Sequence, residues 1–169
     1  MSILEEHVES AMQVSMRIIA SGEEISPLVI FFKKGMPDLT IPLKLATDED
    51  RELSIYIVQR FIYKFRPDSA VVVTEGWMLD VRKSTPEEVK EFTENYEHGD
   101  AAKSPNRIEV IMVHGGAIGQ QFTAIQPYKR KGKKIIFQER VETPGNAHVD
   151  CAFFGNTWEV LEGEGKVRH

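Results

Sequence analysis

The stretch that most limits the fold lies between residues 107 and 141. "RIEVIMVH", "QFTAIQPY" and "KIIFQERV" are three β-rich runs, and "GGAIG" and "KRKGK" separate them with turn residues. Short connections of this kind predict a contiguous antiparallel meander with turns near Gly116 and Gly132. A sheet must bury at least one face, and the first half of the chain offers helices to cover it. The expected fold class is α+β. An antiparallel or mixed β-sheet carries three helices, the C-terminal half is a β-meander, and residues 1–169 make one domain.

The helices carry clear start and stop signals. Ser2 and Glu5 have capping-box spacing, Leu4, Val8, Ala11, Met12, Ile18 and Ile19 approximate one face, and Gly22 ends the run. Thr47 precedes three acids, and Leu53, Ile57, Val58, Phe61, Ile62 and Phe65 recur at helical spacing until Pro67 stops them. Thr85, Pro86 and Glu88 open a third helix that should reach about Tyr96. "EHGDAAKSPN" reads as a polar loop. "HVDCAFF" reads as a last strand, "GNTW" as a turn, and the tail from about residue 162 as loose.

Between the first two helices, "PLVIFFK" and "LTIPLKL" form a hairpin around "KKGMPD". Pro42 cannot donate to a ladder, which places its strand at a sheet edge. "VVVTEGWMLD" raises a sharper question. Alternation sets Val71, Val73, Glu75, Trp77 and Leu79 on one face, so a carboxylate sits among apolar neighbours. A bare buried carboxylate costs several kcal/mol, so it needs a partner, a proton or water. A bulge at Gly76 would re-aim the strand and let Trp77 cover the bend. Arg107 and Arg60 are candidate cations, and an arginine or a backbone N–H should hold Glu75.

"AVVVTEGWM" after a long helix, followed by "PNRIEVIMV" opening a meander, resembles a group of small bacterial α+β proteins of unknown function. The likeness spans roughly residues 48 to 140. It implies the same order of helix, strand and meander, and it brings no activity and no site residues.

Charge and cysteine count narrow the classes. The net charge of −5 opposes a phosphate backbone, so nucleic acid is disfavoured as a partner. Lys129, Arg130, Lys131, Lys133 and Lys134 crowd a turn and read as its solvated tip. One cysteine, Cys151, excludes an intrachain disulfide and suits a reducing compartment. The start lacks a basic and apolar leader, and no apolar run approaches the roughly 20 residues of a membrane span. A soluble, cytoplasmic protein with no membrane association is expected.

Candidate chemistry is sparse. Glu75, His114, His148 and Asp150 could serve a small metal-dependent hydrolase, with His148 and Asp150 two apart on one strand face. His98 and Cys151 are also metal-capable, yet no HExxH or paired CxxC spacing occurs, so neither metal nor cofactor is expected. Cys151 and His148, three apart, point to opposite faces and do not pair as nucleophile and base. "GGAIG" runs into an alternating strand rather than a helix and carries no lysine, so it reads as a turn rather than a phosphate cradle. The leading expectation is a non-catalytic binding or assembly protein, with a protein or small-molecule partner, or a homodimer joined through a sheet or helix face.

Overall fold

The computed structural model describes residues 1–80, 82–95, 97, 100–143 and 151–167. Its elements run α1 (Ile3–Ala20), β1 (Leu28–Lys33), β2 (Met36–Pro42), α2 (Asp48–Phe65), β3 (Ser69–Leu79), α3 (Pro86–Glu94) and α4 (Asp100–Lys103). They continue with β4 (Arg107–Ala117), β5 (Gln120–Lys131), β6 (Lys134–Phe137), β7 (Val141–Thr143) and α5 (Thr157–Val167). The strands form one sheet in the order β2-β1-β3-β4-β5-β6, with β7 also on β5. Every pairing is antiparallel, so the mixed alternative falls away. The fold is α+β, and residues 107–141 form the expected meander.

Local chemistry explains the element ends. Both capping boxes are made, Ser2 with Glu5 and Thr85 with Glu88, and Thr47 caps α2 through the Asp50 N–H. The β1–β2 hairpin turns at Lys34 and Gly35, both at positive φ (53° and 76°), which matches the twist of the strands. Asp68 accepts the Lys34 N–H and holds that conformation. The Leu43 N–H donates to the Pro27 carbonyl, so by alternation Pro42 faces away from β1 and removes a donor from the open edge. Pro127 uses the same device inside the sheet. Its carbonyl accepts the Gln138 N–H on the side away from β4, so its missing donor leaves the β4 ladder intact. At that point β5 changes partner from β6 to β7.

The sheet is covered on both faces. Leu4, Val8, Met12 and Ile19 of α1 pack on Val71, Val73, Ile111, Val113 and Tyr128. Val58 and Ile62 of α2, with Phe154, Trp158 and Leu161, pack on Val29, Phe31, Ala70 and Val72. Gly115 and Gly116 are strand residues rather than a turn. The hairpin turns later, at Ile118 and Gly119, because a Cβ at 115 would strike Val8 and Leu4 while one at 116 would meet Trp158 and Phe154. The pair of glycines lets helices approach β4 from both sides.

Other expectations need correction. Five helices are described, not three. Residues 100–103 of the expected polar loop make one helical turn, with Ala101 buried. The tail is not loose through residue 167. Trp158 and Leu161, three apart, lie on one face of α5, and burial of that face outweighs the glycines at 163 and 165. Cys151–Asn156 form turns rather than strand, and residues 148–150 of that expected strand lie outside the described residues. The apolar stripe of α2 is only partly buried, since Leu53 and Phe65 are exposed. No bulge occurs at Gly76, because β3 and β4 pair without a register shift from Ser69↔Ala117 to Leu79↔Arg107. Trp77 is 41% exposed and does not cover a bend.

The close approach at Gly116 sets an expectation for two alanine substitutions. Gly116→Ala should destabilise by about 1–3 kcal/mol, because the fully buried Trp158 has nowhere to retreat. Gly163→Ala, in open space on the exposed side of α5, should stabilise by about 0.5–1 kcal/mol. Urea unfolding of both variants checks the contrast, and a neutral Gly116→Ala would contradict the packing.

Candidate ligand site

Glu75 lies on the α1 face of β3, two residues beyond Val73 and opposite Ile111. Its Oε2 accepts the Ile25 N–H at 3.1 Å and its Oε1 accepts the Tyr128 hydroxyl at 2.7 Å. Arg130 Nη2 stands 3.7 Å from Oε1, and its Nε donates to both Glu109 oxygens at 3.1 Å. The backbone N–H partner was expected. The cation is Arg130 rather than Arg107 or Arg60; Arg107 stacks on the Trp77 ring instead. Burial, and then the bond to Glu75, pushes the Tyr128 hydroxyl well above the usual tyrosine range. This cluster ties the segment before β1 to three neighbouring strands. Its donors and acceptors satisfy one another, which is the pattern of a lock.

His114 leaves β4 toward the opposite face. It pairs with Val72, which packs under α2 and α5, whereas Glu75 shares its face with Val71 and Val73. The imidazole is half-buried, with Nδ1 3.0 Å from the Thr123 hydroxyl. Nε2 has no hydrogen-bond partner among the described residues. Burial holds the ring's pKa down to about 4, so it is neutral at physiological pH.

The ring borders a cavity of about 400 Å³. Arg51, Thr74, Ala101, Met112 and Phe153 line it beside His114. The β3 segment 74–77 forms one wall, although the Glu75 carboxylate is engaged on the other face. Gly76 lets the Met112 side chain lie close against β3 here, since a Cβ at that position would be only 3.1 Å from the Met112 methyl. Arg51 stands in the first turn of α2 and donates to Asp48 through one terminal nitrogen.

The sheet therefore separates Glu75 from His114. His148, Asp150 and His98 lie outside the described residues. Among the described residues no three His, Cys, Asp or Glu side chains gather at metal-binding range. Cys151 is buried, and burial raises its thiol to about 11, which keeps it protonated and unreactive. The five basic residues from 129 to 134 are exposed, as a hairpin tip requires. Arg51, Thr74, Met112 and Phe153 went unrecognised as site residues in the sequence. One signal was available: Thr74 and Gly76 continue the face of Ala70 and Val72 with a hydroxyl and a gap. The chain matches no protein family, no curated protein and no solved structure.

Two measurements follow from these geometries. Glu75→Gln and Tyr128→Phe should each lower stability by about 1–3 kcal/mol, since each leaves a buried partner short of a bond. A double-mutant cycle should show coupling of at least about 0.5 kcal/mol; strict additivity would dissolve the lock.

His114 makes stability depend on pH. Its folded pKa, about 4, lies below the ordinary 6.5, so below pH 6.5 the unfolded chain binds a proton that the folded chain refuses. Stability should fall as pH drops, by about 2 kcal/mol between pH 6.5 and 5. Glu9 and Asp80, whose pKa values are lowered, lose their contribution only nearer the ordinary carboxylate range. Denaturation of His114→Gln at both pH values should show that slope removed; an unchanged slope would assign it elsewhere.

Proposed function

We propose that the chain is a non-catalytic binding protein whose ligand is a small, largely apolar molecule held in the cavity on the α2 side of the sheet. The observation that supports this reading most is the combination of apolar walls with one neutral, incompletely bonded imidazole. Ligand cavities commonly have this build, in which apolar area supplies affinity and a few polar groups fix orientation. The volume, about 400 Å³, suits a metabolite-sized occupant. The wall elements come from distant parts of the chain: α2, β3, α4 and β4 all contribute. Two of them are central strands of the sheet, which gives the site a rigid floor.

The test is a screen of small apolar molecules by thermal shift and ligand-observed NMR, with wild type and Gly76→Leu in parallel. The new side chain would enter the cavity beside the end of the flexible Met112, so the fold should survive. Hits should stabilise wild type by about 2.7 kcal/mol at a hundredfold excess over Kd and leave Gly76→Leu unshifted. Equal binding by both proteins, or no hit for wild type, would overturn the reading.

A further inference from the structure

The side chains around the cavity carry a sign as well as a shape. Arg51 is the ionised group that borders it without a buried counter-charge. Its partner Asp48 has a side chain 85% exposed, so water already satisfies most of that carboxylate. The Arg51 side chain is itself only 25% exposed. The contact with Asp48 engages Nη2, and the remaining guanidinium nitrogens have no bond among the described residues. The other nearby acid, Glu75, is committed across the sheet to Ile25 and Tyr128.

We propose that the ligand is an apolar monocarboxylate, with its carboxylate on Arg51 and His114 and its body against Met112, Ala101 and Phe153. This rests on the cavity being the binding site. A guanidinium fork matches a carboxylate edge and can offer it two parallel N–H groups. The imidazole can add a third donor. If the Thr123 hydroxyl donates to Nδ1, the ring's single proton sits on Nε2 and is available to an anion. A cationic ligand would meet Arg51 with no buried acid to offset it. A doubly charged phosphate would lose more hydration against the apolar walls than one guanidinium and a neutral ring return. An uncharged ligand would leave the free donors of Arg51 without an anionic acceptor.

Three probes of similar shape separate the cases: 1-naphthoate, 1-naphthamide and 1-naphthylmethylamine. Their affinities would be measured by calorimetry for wild type, Arg51→Leu and Gly76→Leu. In wild type the carboxylate should bind at least about tenfold more tightly than the amide, and the amine most weakly. Arg51→Leu should bring the carboxylate and amide within about threefold of each other while leaving the amide nearly unchanged. Nitrogen NMR of the naphthoate complex should show His114 protonated at Nε2. Amide binding equal to or tighter than naphthoate in wild type, lost in Gly76→Leu, would overturn the anion assignment and keep the cavity. A carboxylate preference that survived Arg51→Leu would also overturn it. Failure of all three probes to bind wild type, or binding undiminished in Gly76→Leu, would overturn both the assignment and the cavity reading.

Discussion

The pairing of β3 with β4 is the interaction on which the rest of the structure depends. Eleven residues of each strand match without a slip, from Ser69↔Ala117 to Leu79↔Arg107. Both strands lie at the centre of the sheet. A slip of one residue would exchange every side chain between faces. It would set Val71 and Val73 under α2, and move Glu75 from its partners on the α1 side. Continuous pairing also makes the two faces independent, since each side chain commits to one environment. The same register that carries Val72 and His114 toward α2 and α5 carries Glu75 toward Tyr128.

The glycines of β4 and β3 do three different jobs in this frame. Gly115 lets α1 approach, Gly116 admits the ring edges of Trp158 and Phe154, and Gly76 admits the Met112 methyl. At none of these sites is φ positive. A sequence reader sees glycine and infers a turn or a bulge, because those are its commonest local uses. Here the cause is tertiary. The requirement for missing volume comes from a helix or cavity far away in the chain, so no window of neighbouring residues reveals it. That is why "GGAIG" predicted a turn too early and "EGW" predicted a bulge that is absent.

The legible parts were those decided locally. Capping boxes, the edge proline and the alternation of the meander act within a few residues, and each is formed as the pattern requires. The helix α5 was hidden because its stability comes from two side chains, Trp158 and Leu161, finding a core built by other segments. The site was hidden more deeply. His114 was visible as a metal-capable residue, but its partner Thr123 lies across a hairpin and Arg51 on a separate helix. Sequence proximity drew attention to Gly115 and Gly116 beside it, where the relevant neighbours are Met112 and Thr74 on the same face.

The second half of β3 explains why a lock and a cavity occur back to back. Beyond Thr74 the two faces of this central strand are closed in different ways. On the α1 side Glu75 draws in the Ile25 N–H, the Tyr128 hydroxyl and Arg130, so polar groups close the gap. On the other side Gly76 has no side chain to close it, and among the described residues α4, the start of α2, Leu45 and Phe153 border the cavity. The lock removes freedom from the strand that floors the cavity. The proposed ligand would meet a wall already fixed by hydrogen bonds on its reverse face, so little ordering entropy would remain to be lost on binding. In this arrangement the Glu75 carboxylate holds the strand from one face, as the sequence reading expected of it, and the neutral imidazole of His114 borders the cavity on the other.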